Sequence, residues 1–82
     1  QRQMCIRDSF RQRCEVIANT YLLSRRESEV MYYLARGYKS SHIQQQLYIS
    51  EGTAKTHIRH IYRKLNIHSQ QDLIHLIDGV EL

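Results

Sequence analysis

The 82-residue chain has no proline, no tryptophan and only three glycines, Gly37, Gly52 and Gly79. Little in it forces a break in helix, so punctuation falls to Ser, Asn and those glycines, and an all-α chain is expected. Its two cysteines, Cys5 and Cys14, lie in or beside one expected helix, where their spacing holds them too far apart to bridge. A disulfide staple is thereby excluded, a reducing compartment suits, and Cys14 reads as packing material. No apolar run approaches the roughly 20 residues that a membrane-spanning helix needs. The longest, VMYYLA from Val30 to Ala35, has the length of a helix face. No signal-peptide pattern is visible, so the segment is expected to be cytoplasmic and to make no membrane contact.

Catalytic signatures are missing as well. There is no Gly-rich phosphate loop, nucleophile elbow or acid pair placed for a cleft, so no enzyme activity, cofactor or small-molecule ligand is expected. His57 and His60, three apart on one expected helix, invite a zinc reading, but no Cys or carboxylate stands at ligand spacing and HExxH is absent, so no metal is expected. His42, His68 and His75 are scattered and read as polar surface.

What the chain does have is unevenly placed positive charge. Twelve Lys plus Arg against eight Asp plus Glu give a net +4, modest for so small a domain. From Arg36 to Lys64, however, Arg36, Lys39, Lys55, Arg59, Arg63 and Lys64 face Glu51 alone, whereas only Asp72, Asp78 and Glu81 follow. A chain of this length makes one domain with a modest core that a partner often supplements.

The first nine residues, QRQMCIRDS, show no periodicity and are expected as a disordered or non-native leader (1–9). Phe10, Cys14, Ile17 and Tyr21 then mark the apolar stripe of a linker helix over 10–22. Ser24 with Glu27 forms a capping box, Leu23 staples it from outside, and Val30, Met31, Leu34 and Ala35 supply a buried face that Gly37 terminates. Ile43 and Leu47 mark a short helix from about Ser40, and Ser50 caps another over 51–65. The connection between these two is so short that they must cross as a helix-turn-helix. Asn66 supplies the next left-handed stop, Ser69 with Asp72 starts a last helix, and residues 79–82 form a tail. Ile67, Leu73, Ile74, Ile77 and Val80 exceed what one short helix buries, which marks a surface for a second copy.

At about 100° per residue, Ala54, Ile58, Ile61 and Leu65 fall in a sector of roughly 60°. Gly52, Thr56, Arg59 and Arg63 lie opposite, with Lys55 and His60 at the edges of that polar side and Thr53, His57 and Lys64 on a flank. A basic helix taken alone is more often solvated surface. As the second helix of a helix-turn-helix, this one is placed to enter a DNA major groove.

LSRRESEVMYYLARG (23–37) and IQQQLYISEGTAKTHIRHIYRKLNIHS (43–69) resemble the LuxR-type (GerE) helix-turn-helix domain of bacterial transcription regulators, whose pattern runs L-T-x-R-E-x-E-V, then I-S-E-x-T-V-K-x-H, then K-L. The resemblance spans Leu23 to about Ile77 and implies a LuxR-type domain over 23–78. It implies a four-helix bundle, here preceded by an extra N-terminal helix, that binds double-stranded DNA as a homodimer through its last helix. It makes Lys55, Thr56 and Arg59 the base-edge readers. Thr53 and His57 are implied at phosphates, and Ser50, Arg63, Lys64, Lys39 and Ser40 are counted with them; Leu73, Ile74 and Ile77 are assigned to the dimer interface. Lys39 stands where the family usually has a capping Ser, Ala54 replaces the usual Val, and Gln70 replaces a common Arg. The leading helix lies outside the pattern; in this family such a helix joins the domain to a receiver, a ligand-binding domain or sometimes a membrane-embedded one. A sigma factor region 4 has a similar helix-turn-helix, and a protein-interaction module with a basic face is the rival of another class. K-T-H followed by I-Y-R-K-L favours the LuxR type.

Overall fold

The computed structural model describes residues 6–81, which form five helices: α1 Ile6–Thr20, α2 Arg25–Ala35, α3 Ser40–Leu47, α4 Glu51–Leu65 and α5 Gln70–Asp78. No strand occurs among the described residues, in keeping with the all-α expectation. α1 begins at Ile6, inside the stretch expected as a leader, because nothing there breaks a helix. Residues 1–5 of that leader and residue 82 of the expected tail lie outside the described residues. α1 ends at Thr20, so Tyr21 drops out of the expected stripe and is exposed, leaving Cys14 and Ile17 buried with Phe10 packed beside them.

The first four helices stop in the same way. After each, one residue turns left-handed, or to positive φ at Gly37: Leu22 at φ 58°, Gly37 at 94°, Tyr48 at 55° and Asn66 at 58°. The next amide then reaches back five residues, Leu23 N to Ala18 O at 2.9 Å, Tyr38 N to Tyr33 O at 3.1 Å, Ile49 N to Gln44 O at 3.2 Å and Ile67 N to Tyr62 O at 3.0 Å. This is the Schellman closure, which satisfies a carbonyl the helix leaves open and turns the chain sharply. Gly37 and Asn66 carry the residue types that tolerate it; Leu22 and Tyr48 do so against their preference.

α2 lies at the centre, touching all four other helices. Val30 and Met31 are fully buried, meeting Ile43 of α3, Ile61 of α4 and Leu73 and Ile77 of α5 in one core. Burial pushes the Cys14 thiol up to about 11, against the opposing pull of Arg11 and Arg36, so it is an inert packing group. α5 corrects one expectation. Leu73 and Ile77, assigned to a dimer interface, are 0% and 1% exposed within a single chain, because α5 closes the core against α2 and α1. Ile74 alone of the three stays part-exposed.

Polar bonds fix two corners. Gln70 donates from Nε2 to the carbonyls of Leu34 and Tyr38, both at 2.9 Å, tying the start of α5 to the end of α2. The Ser24–Glu27 capping box is present, with Glu27 N on Ser24 Oγ at 3.2 Å and Ser24 N on Glu27 Oε1 at 2.9 Å. Glu27 does more than cap. It is buried, and its carboxylate accepts from Lys64 Nζ at 2.8 Å and lies 3.4 Å from His60 Nδ1, both on α4.

Burial raises the Glu27 carboxyl, but the Lys64 and Ser24 hydrogen bonds with the charges of Lys64 and His60 hold it net below its ordinary 4.5. A lowered carboxyl contributes stability that is complete above its ordinary value and lost as pH falls through the lowered one. Glu27→Gln should therefore cost about 1–3 kcal/mol at pH 7, shrinking as pH drops below the carboxylate range, when urea unfolding is followed across pH. Leu22→Gly and Tyr48→Gly, at side chains 80% and 94% exposed, should each raise stability by about 1 kcal/mol by relieving the left-handed turn, read as a higher urea midpoint.

Candidate nucleic-acid interface

α4 is set by its cap. Ser50 accepts from Thr53 N at 3.1 Å and donates its hydroxyl proton to Thr53 Oγ1 at 3.0 Å, so both hydroxyls gather at the helix start. Inward, Ala54 and Ile61 are fully buried, Leu65 nearly so, and Ile58 packs against the core from a half-buried position. The expected apolar edge is thus the edge that packs. Ala54, where the family usually has Val, sits at 0% exposure.

Outward, Lys55, Arg59 and Arg63 are exposed and Thr56 is half-buried. Thr56 donates its hydroxyl proton to Gly52 O at 2.9 Å, which fixes its side chain along the helix. Lys55 pairs with Glu51 at 2.9 Å, and the hydrogen bond and charge of Lys55 lower the Glu51 carboxyl. Both side chains are more than 60% exposed, and such a pair is worth little in water, so Lys55 remains free to exchange partners. Arg59 and Arg63 form no ion pair among the described residues.

The C-terminal half of α4 splits its charges. Arg63 stays outward, whereas Lys64, expected at a phosphate, is drawn to α2, bonding Glu27 and also donating to Leu22 O at 3.3 Å. The reason is electrostatic: a buried carboxylate needs a cation more than the solvent-facing side does. His60 turns the same way, its Nδ1 toward Glu27. His57, on the flank, is half-buried with its Nδ1 sealed inside. The two histidines thus differ in surroundings, and among the described residues no group of three His, Cys, Asp or Glu side chains comes together to hold a metal ion.

Lys39 and Ser40 stand at the start of α3. Lys39 stands at the cap position without a side-chain cap bond, so α3, which starts at Ser40, is the less well capped helix that the lack of a hydroxyl there implies. Ser40 Oγ accepts from Gln44 Nε2 at 3.1 Å, and Lys39 is exposed. Behind them Tyr38 stacks on His42 at 4.1 Å and Tyr33 meets both rings edge-on or tilted, which stiffens the α2–α3 corner. Sequence reasoning missed the tie between Glu27 and α4. The capping box accounted for Glu27 locally, and nothing in the local pattern points to a cation 37 residues away.

Comparison with known proteins places the sequence in a family. The family described as bacterial regulatory proteins, luxR family, matches residues 21–77. A nitrate/nitrite response regulator protein homolog of Haemophilus influenzae is 48% identical over 48 residues, which is 58% of this chain and 23% of that protein. The response regulator protein TodT of Pseudomonas putida is 38% identical over 67 residues, 82% of this chain and 30% of its own length. The transcriptional regulatory protein DegU of Brevibacillus brevis is 37% identical over 54 residues, 66% of this chain and 23% of that protein. The chain therefore spans less than a third of the length of these relatives. No solved structure matches it.

Proposed function

The chain belongs to the luxR family of bacterial regulatory proteins, whose helix-turn-helix domain binds DNA, and from this we propose that it is the output domain of a longer transcription regulator and reads double-stranded DNA with α4. One observation carries the reading. The solvent side of α4 bears Lys55, Arg59 and Arg63 with Glu51 as its one acid, on a helix whose opposite edge is locked into the core.

In the proposed complex α4 lies in the major groove. Lys55, Thr56 and Arg59, from the N-terminal half and middle of the helix, meet base edges, where an Arg can reach guanine O6 and N7 with two hydrogen bonds. Ser50, Thr53, His57 and Arg63 contact phosphates along the groove, and Lys39 with Ser40 touches the backbone from α3. Lys64 is left out of this set because its ammonium is committed to Glu27. Two copies bind successive major grooves on one side of the duplex, which calls for a pseudo-palindromic site. Their contact runs through the outer surface of α5, where Ile74 remains part-exposed.

Selection of bound duplexes from random DNA should return two half-sites about one helical turn apart. Arg59→Ala should relax the preference at one base position at a cost of about 1–3 kcal/mol, while Arg63→Ala should weaken all sequences about equally and reduce the salt slope by about 1. Equal losses on every sequence for both variants would move Arg59 to the phosphates. A wild-type chain with no preference above non-specific binding would instead support a protein-interaction module that meets an acidic partner.

A further inference from the structure

Tyr48 is held in a conformation that the fold alone gives no reason for. It closes α3 in the left-handed region, at φ 55° and ψ 48°, where a β-carbon is crowded and Gly or Asn is the usual occupant. Its side chain is 94% exposed, whereas none of the other five tyrosines is more than 38% exposed. Tyr32, Tyr33 and Tyr38 pack their rings on neighbouring rings, and Tyr48 meets no ring among the described residues. The residue thus carries backbone strain without burying its side chain in return. Strain that packing does not reward collects where a protein meets something else. Leu22 is strained in the same way, but its carbonyl has a use inside the fold as an acceptor for Lys64.

The place of Tyr48 in the chain points to what it meets. Ile49 packs against the core, and Ser50 then opens α4 with the hydroxyl pair that it forms with Thr53. Two residues span at most about 7 Å of chain, so the phenol stands within reach of the DNA strand that Ser50 and Thr53 address in the complex described above. A tyrosine hydroxyl is a donor on a long, stiff arm, one of the side-chain groups that hydrogen-bond phosphate oxygens. Resting on the DNA-binding reading, we propose that Tyr48 is a backbone contact of the α3–α4 turn, its hydroxyl donating to a non-bridging phosphate oxygen beside the phosphate that Ser50 and Thr53 address. It is a positioning contact that adds neither charge nor base preference and braces the turn against one strand while α4 lies in the groove. A glycine at this position would ease the turn and lose the donor, so stability and binding are set against each other at one residue.

The test compares three variants of the whole chain, each checked for folding by thermal melting. Tyr48→Phe removes the hydroxyl alone and keeps both the ring and the strained turn. It should lose about five- to tenfold in affinity for each bound domain, equally on the selected duplex and a scrambled one, as one hydrogen bond to an anionic oxygen implies. Tyr48→Gly should lose at least as much while its urea midpoint rises above that of wild type. Leu22→Gly, which relieves the same strain at the α1–α2 turn, should gain a similar midpoint shift and bind like wild type. All three should keep the wild-type salt slope, because no charge is removed. Uncharged methylphosphonates placed one at a time along the selected duplex locate the contact: at one position in each half-site the substitution should weaken wild type more than Tyr48→Phe. A Tyr48 variant that binds like wild type, a loss confined to the selected duplex, a reduced salt slope, an equal loss in Leu22→Gly, or a methylphosphonate profile identical for wild type and Tyr48→Phe would each overturn the proposal. Failure of the wild-type chain to prefer any duplex would overturn the DNA-binding reading along with it, and the other outcomes leave that reading standing.

Discussion

A carboxylate with almost no exposed surface has to find its charge partners inside the fold, and Glu27 finds them on another helix. Its side chain closes the start of α2, accepts from Lys64 and lies beside His60. Lys64 also reaches Leu22 O, so one ammonium joins the α1–α2 turn, the α2 cap and the last turn of α4. The rest of α4 hangs from this junction and from its apolar edge. With Ala54, Ile61 and Leu65 buried, the helix has little freedom to roll, and the side that bears Arg59 and Arg63 is the side left for solvent. A contact surface gains precision when it stands on a rigid element held by its own neighbours.

The turns perform the complementary task of setting how the helices cross. Four Schellman closures among the five helices of the described residues let short connections make sharp changes of direction. Two of them fall on Leu22 and Tyr48, which have no glycine freedom and little burial to gain from the position. The α3–α4 turn is one of these two. The geometry of the helix-turn-helix is therefore held against local backbone preference by the packing of Ile43, Ala54 and Ile61 on either side of the turn.

Much of this was legible in the residues because it is local. Capping at Ser24, Ser50 and Ser69, and the left-handed stops at Gly37 and Asn66, each depend on a few adjacent positions, and each lies where the pattern put it. The faces of α4 were legible for the same reason, since helical period alone separates Ile61 from Arg59. What was not legible is long-range. Leu73 and Ile77 looked like surplus apolar surface because periodicity cannot tell a core from an interface when the opposing helix is unknown. Lys64 looked like one more cation on a basic helix because its partner stands 37 residues away. The start of α1 was missed because absence of a breaker permits helix without announcing it, and the left-handed Leu22 and Tyr48 carry no residue signal.

The account stands on one claim, that the Lys55–Arg63 side of α4 is the surface that meets DNA. The most direct measurement is a titration of the isotope-labelled chain with its selected duplex, followed by amide and side-chain chemical shifts. The account predicts the largest changes at Ser50, Thr53, Lys55, Thr56, Arg59 and Arg63, smaller ones at Lys39 and Ser40, and little at Lys64 or along α1. Changes centred on α1 or on the Lys64–Glu27 junction, with the outer side of α4 unmoved, would contradict it.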